Sequence, residues 1–223
     1  MTKKKTPGSR DARMVLDLQL DPVVVRLGAF AVTWNTICTT LALLAGTLFA
    51  LRTMGQVGVA RSIAGRIACL ALLGGFVGSR TVHVLAHAAY YAAFPHELFL
   101  LSDGSGSFAG ALLGGGLAAL FAAKVCNVPL GVLINAAVPS LVIGIPFHAI
   151  GNLLTGAGWG PPTTGGWGVI YWQSNALVPP DLISVPLHPF PIYQMGVSLS
   201  LFALWALVRH HAVVDWRLEQ EVR

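Results

Sequence analysis

Arg80, His83 and His87 stand inside an apolar run from Ile67 to Phe94 that is long enough to cross a bilayer. On a helix their i, i+3, i+7 spacing puts all three on one face. An arginine at the centre of a membrane helix costs about 2.5–3.5 kcal/mol on insertion scales, and chains accept that where the guanidinium faces a protein interior or wet cavity opposite an anion. One reading is therefore a cationic face, made by Arg80, His83 and His87, that meets an anionic lipid headgroup. The other is structural: Arg80 snorkels along its aliphatic stem or bonds a backbone carbonyl. His83 and His87 lack both the glutamate of the zinc-protease motif and an obvious third ligand, so no metal is expected. His148 and Asn152 form a second pair at i and i+4, just after Pro146. That proline removes one helix hydrogen bond and leaves the carbonyl of Val142 without its usual partner. A kink there suits a polar pocket and an ordinary bent helix equally well.

The elements that must position these groups are membrane helices. The chain is 55% hydrophobic and only 10% charged, with a mean hydropathy of +0.69. Soluble domains carry about 25% charged residues, so this composition describes an integral membrane protein. Its net charge of +5 gathers largely in the tails, with Lys3, Lys4, Lys5, Arg10 and Arg13 at the start. That is a membrane-surface or topology signal; no basic stripe with interleaved aromatics suggests nucleic acid. Cys38, Cys69 and Cys126 lie in or beside apolar segments without zinc spacing and read as small hydrophobes. No secretory signal pattern follows the basic cluster.

Residues 1–13 read as a disordered basic tail, 14–208 as one transmembrane domain and 209–223 as a cytoplasmic tail. Met14 to Arg26 alternates and contains Pro22, which favours an extended or interfacial segment. Spans are expected over Leu27–Leu51, the Arg80 segment, Phe108–Ala123, Val132–Thr155 and Pro189–Val208. Arg52 to Arg66 reads as a basic loop. Gly156 to Leu187 reads as a loop whose tryptophans and tyrosine form an interfacial layer. Glycines at 74, 78, 110 and 114–116 invite close helix packing. The expected fold is an all-α polytopic membrane protein of about five helices, with a glycine-rich loop and a kinked fourth helix around a polar intramembrane pocket. Basic residues in the loops after spans one and three, and at the C-terminal end, put the C-terminus in the cytoplasm and the N-terminus in the periplasm.

The order of landmarks from about Leu20 to Val208 resembles the prolipoprotein diacylglyceryl transferases of bacterial inner membranes. Leu20-Asp-Pro-Val, Gly28, Trp34 and Gly78-Ser-Arg80 come first. Asp103-Gly-Ser-Gly-Ser-Phe-Ala-Gly110 is similar to the family's Asp-Gly-Gly-x-Ser-Phe-His-Gly segment. Ile150-Gly-Asn152 with Gly156 and Trp159-Gly160 resembles the signature Gly-Arg-x-Gly-Asn-x-x-Asn-Gly-Glu. His188-Pro-Phe-Pro-Ile-Tyr193-Gln194 looks like His-Pro-x-Gln-x-Tyr-Glu. The resemblance implies transfer of diacylglyceryl from phosphatidylglycerol to the lipobox cysteine of a preprolipoprotein, releasing glycerol phosphate, with no cofactor. It carries over Arg80, Asp103, Ser107 and Asn152 as headgroup ligands and His188 and Tyr193 as catalytic candidates.

The departures are Ala109, Ala149 and Ala157 where the family has histidine, arginine and glutamate, Asn35 for tyrosine, and Gln194 for glutamate. The family's later spans, with a further arginine, have no counterpart before Arg223. His148 stands next to Ala149 and could supply the missing charge or base; His83 and His87 could serve near Arg80. Two further expectations stay open: a degenerate paralogue that binds anionic phospholipid or a lipoprotein partner, and a related transferase with a different lipid or acceptor.

Overall fold

A computed structural model describes residues 14–28, 30–99 and 106–221; the expected disordered tail and Asp103 lie outside the described residues. Five helices are long and apolar enough to cross a membrane: α1 (Trp34–Gln56), α2 (Arg61–Ala86), α4 (Phe108–Val125), α5 (Leu130–Thr155) and the first part of α6 (Phe190–Glu221). A short α3 (Ala88–Ala93) follows α2. The chain is a multi-pass, mostly helical membrane protein.

Several boundaries differ from the sequence reading. The first span starts at Trp34, not Leu27, because β2 (Val23–Leu27) and β3 (Phe30–Thr33) pair antiparallel around Gly28, whose φ is +63°. Thr33 then caps α1, its hydroxyl accepting from the N–H of Thr36 at 3.2 Å. Arg52 lies within α1 and Arg66 within α2, so the basic loop shrinks to residues 57–60. The apolar run ending at Phe94 breaks at His87, where α2 has already risen about 39 Å and cleared the hydrocarbon. Residues 156–187 are more than a loop. They supply β4 (Trp167–Tyr171), which pairs in parallel with β1 (Met14–Leu18), Asp17 lying opposite Ile170. This small β layer has its own core of Val169, Tyr171, Val178 and Leu187.

The helices pack as antiparallel pairs through small residues. Gly74 and Gly78 of α2 face Gly114 and Gly110 of α4; a methyl group on Gly78 would sit 2.8 Å from the Cα of Gly114. Without Cβ atoms the two backbones can approach this closely. Along the α1–α5 seam, Gly46 faces Ser140, Gly144 faces Ala42, and Gly151 faces Cys38 and Asn35.

Helix α5 continues through Pro139 and Pro146. The carbonyl of Val142, deprived of an N–H by Pro146, accepts a hydrogen bond from the hydroxyl of Ser198 on α6. The end of α5 is closed with equal care. Gly156 takes the left-handed conformation (φ +81°), Tyr171 Oη donates to the carbonyl of Leu153 at 3.0 Å, and the N–H of Leu177 donates to Thr155 at 2.9 Å. Burial pushes the Tyr171 phenol up to about 12.

The two ends of the bundle are chemically unlike. Met54, Ala64, Ile67, Ala122, Ala123, Leu133 and Ala136 form a purely apolar cluster where α1 and α4 finish and α2 and α5 begin. The β layer, and every sequence-selected site residue within the described part, belongs to the opposite end.

Candidate functional site

Antiparallel packing places the selected side chains at one depth. Arg80 is six residues from the end of α2 and His148 seven from the end of α5; Tyr193 is three from the start of α6. At 1.5 Å per residue, each lies within about 11 Å of the same end of the bundle.

They fall into three groups. The first joins α1 to α5. Asn35 Nδ2 donates to Asn152 Oδ1 at 3.0 Å, Thr39 Oγ1 donates to Asn35 Oδ1 at 3.0 Å, and Thr39 Oγ1 lies 3.0 Å from His148 Nδ1. Gly151 lets this contact form, because a side chain there would collide with Asn35 and Cys38. The second group lies at the start of α6: Trp167 Nε1 donates to Tyr193 Oη at 2.7 Å, which lies 3.1 Å from His188 Nδ1. The segment 156–160 joins the two groups, since Gly158 lies against Asn152 and the N–H of Gly160 donates to the carbonyl of His188 at 3.2 Å.

The third group surrounds Arg80. Its Nη2 donates to the carbonyl of Glu97 at 2.9 Å, and the guanidinium lies 5.4 Å from the centre of the Tyr91 ring. The carbonyl bond is the structural alternative raised by the sequence. The His83 and His87 rings lie 4.5 Å apart, and His83 meets Tyr91 edge-on at 6.1 Å. His87 Nδ1 donates to the carbonyl of His83 at 3.0 Å, so that histidine closes the end of α2. Ser107 serves the backbone as well. It caps α4, accepting from the N–H of Gly110 at 3.2 Å, and its own N–H donates to the Ser79 carbonyl beside Arg80.

Ala149 and His148 differ in their surroundings. Ala149 is fully buried. The neighbouring His148 is half-buried. Among the described residues no cluster of three or more His, Cys, Asp or Glu could hold a metal ion. Sequence reasoning did not select Thr39 or Trp167 for the site; it took Asn35 as a departure from the family pattern and as a polar group that could line a cavity. Asn35 and Thr39 do form an i, i+4 polar pair inside an apolar span, which was the available signal.

A family model described as prolipoprotein diacylglyceryl transferase matches residues 22–221. The chain belongs to that family. Members are transferases, and similar proteins carry the name phosphatidylglycerol–prolipoprotein diacylglyceryl transferase. One from Geobacter sulfurreducens is 30% identical, over 88% of this chain and 76% of its own length. One from Polynucleobacter asymbioticus is 31% identical, over 86% of this chain and 74% of its own. A third, from Bordetella avium, is 29% identical over 83% and 70% respectively. The family match thus extends from the β2–β3 hairpin to the end of α6.

Proposed function

We propose that this protein transfers diacylglyceryl from phosphatidylglycerol, or another anionic phospholipid, to the lipobox cysteine thiol of a preprolipoprotein. The observation that carries this reading is Asn152: it stands where the sequence resembles the family signature, and inside the helix bundle it accepts a hydrogen bond from Asn35. Arg80 binds the lipid phosphate, with Ser107, Asn152, Asp103, His83 and His87 as the surrounding headgroup ligands. His148, His188 and Tyr193 are the candidates for proton transfer. The chemistry needs a base for the thiol and stabilisation of charge on the departing phosphate, and this end of the bundle offers both kinds of group. The site faces the periplasm of a bacterial inner membrane. Arg52, Arg61, Arg66 and Lys124 lie at the opposite, cytoplasmic end, in agreement with the positive-inside rule.

The test uses purified protein, phosphatidylglycerol vesicles and a lipobox peptide read by mass. A diacylglyceryl mass gain that falls by about a hundredfold or more in Arg80→Ala is expected. The burial of Ala149 supports a second reading, a phospholipid-binding paralogue without transfer. No mass gain, beside an active family member run in parallel, with phosphatidylglycerol co-purifying, selects that reading.

A further inference from the structure

Of the histidines at the polar end, His148 and His188 are separated by the polarity of their hydrogen bonds. An amide oxygen can only accept. Because Asn35 Nδ2 donates to Asn152, its Oδ1 is turned to Thr39 and takes the single hydroxyl hydrogen of that residue. Thr39 Oγ1 therefore meets His148 Nδ1 as an acceptor, and Nδ1 must carry the hydrogen. A neutral imidazole with Nδ1–H has its lone pair on Nε2. At His188 the polarity is reversed. The Trp167 indole N–H can only donate, so Tyr193 Oη accepts it and its own hydrogen is available to His188 Nδ1. With that bond made, the proton of neutral His188 sits on Nε2 and its lone pair, on Nδ1, is already engaged by the Tyr193 hydroxyl.

We infer that His148, rather than His188, is the proton acceptor of this site, and that Thr39 and Asn35 are positioning residues that hold it in the Nδ1–H form. The reaction assigned to it rests on the transfer reading above; the tautomer does not. In the step, the S–H bond of the acceptor cysteine breaks and its hydrogen goes to His148 Nε2. The sulfur bonds to the diacylglyceryl carbon as that carbon's bond to the phosphate oxygen breaks, and the electron pair leaves on glycerol phosphate. Nδ1–H stays donated to Thr39 throughout, so the ring does not turn as it becomes charged. Asn152, the signature residue, thereby acts on the base through two intervening side chains. The His188–Tyr193 pair is left with an N–H to offer an anion.

The test is nitrogen NMR of the full chain, labelled with ¹⁵N-histidine in phosphatidylglycerol nanodiscs above the titration range of neutral histidine. The signal is assigned by its loss in His148→Gln. Expected is an Nδ1–H tautomer for His148, shifting toward Nε2–H in Thr39→Val and returning in Thr39→Ser. In the peptide assay, Thr39→Val lowers kcat roughly tenfold or more with little change in KM, Thr39→Ser restores it, and His148→Gln loses about a hundredfold or more. An Nε2–H tautomer in the unaltered protein overturns the assignment whatever the activity. Unchanged transfer by His148→Gln overturns the proton-acceptor role. No transfer by the unaltered protein defeats the functional reading and that role together, while the tautomer still decides how His148 is held.

Discussion

At the scale of single residues, the clearest case outside the membrane is Asp21. The N–H of Val23 donates to its carboxylate at 2.8 Å and Asn175 Nδ2 at 2.7 Å; together they hold the carboxyl below its usual value. A depressed carboxyl stabilises the folded state above its unfolded pKa, and that contribution is lost as pH falls through the folded value. Asp21 therefore fastens the entry strand to the 172–175 turn at neutral pH and releases it only in acid. The Val23 amide, followed by NMR, should titrate with a midpoint below the ordinary aspartate value of about 3.9. Asn175→Ala should raise that midpoint. A midpoint at or above the ordinary value would show that the two donors do not hold the carboxylate.

Among the elements, α5 carries the most. Its two prolines, glycine-lined seam and capped end let one helix bond to α1, to α6 and to the β layer. Ser198 is 1% exposed and its hydroxyl serves the carbonyl that Pro146 orphans. Ser198→Ala should destabilise the protein by roughly 1–2 kcal/mol, as expected when a buried acceptor loses its donor. Pro146→Ala, which returns a backbone N–H to Val142, should remove most of that loss in the double variant. Unfolding in detergent measures both. Equal losses with and without Pro146 would mean that the hydroxyl bond is not a replacement for the helix bond.

Over the whole molecule, polarity is sorted along the bundle axis. The apolar cluster of Met54, Ile67 and Leu133 gives one end a packing role. The other end carries the β layer, the asparagine–threonine–histidine chain and Arg80. The proposed orientation, with the polar end periplasmic, predicts that an impermeant thiol reagent applied from outside spheroplasts labels Thr164→Cys above the background of the native thiols. Arg61→Cys should react only once the membrane is opened. The reverse pattern would invert the orientation assigned from the basic loops.

Much of this was legible in local sequence. Apolar runs located the spans because burying a helix in lipid needs only length and composition. The glycine spacing marked the α2–α4 seam because only small residues permit that approach. Pro146 announced an orphan carbonyl from covalent structure alone. Order of motifs was enough to suggest the family. Local sequence could not name the partners. Which donor would satisfy Val142, that β1 would pair with a strand more than 150 residues away (Met14 with Trp167), or that Thr39 would stand between Asn35 and His148, depends on which helices pack together. Periodicity reports the face an element buries but not the residue that meets it. The direction of each hydrogen bond, and with it the nitrogen of His148 left open, was decided only when the chain closed on itself.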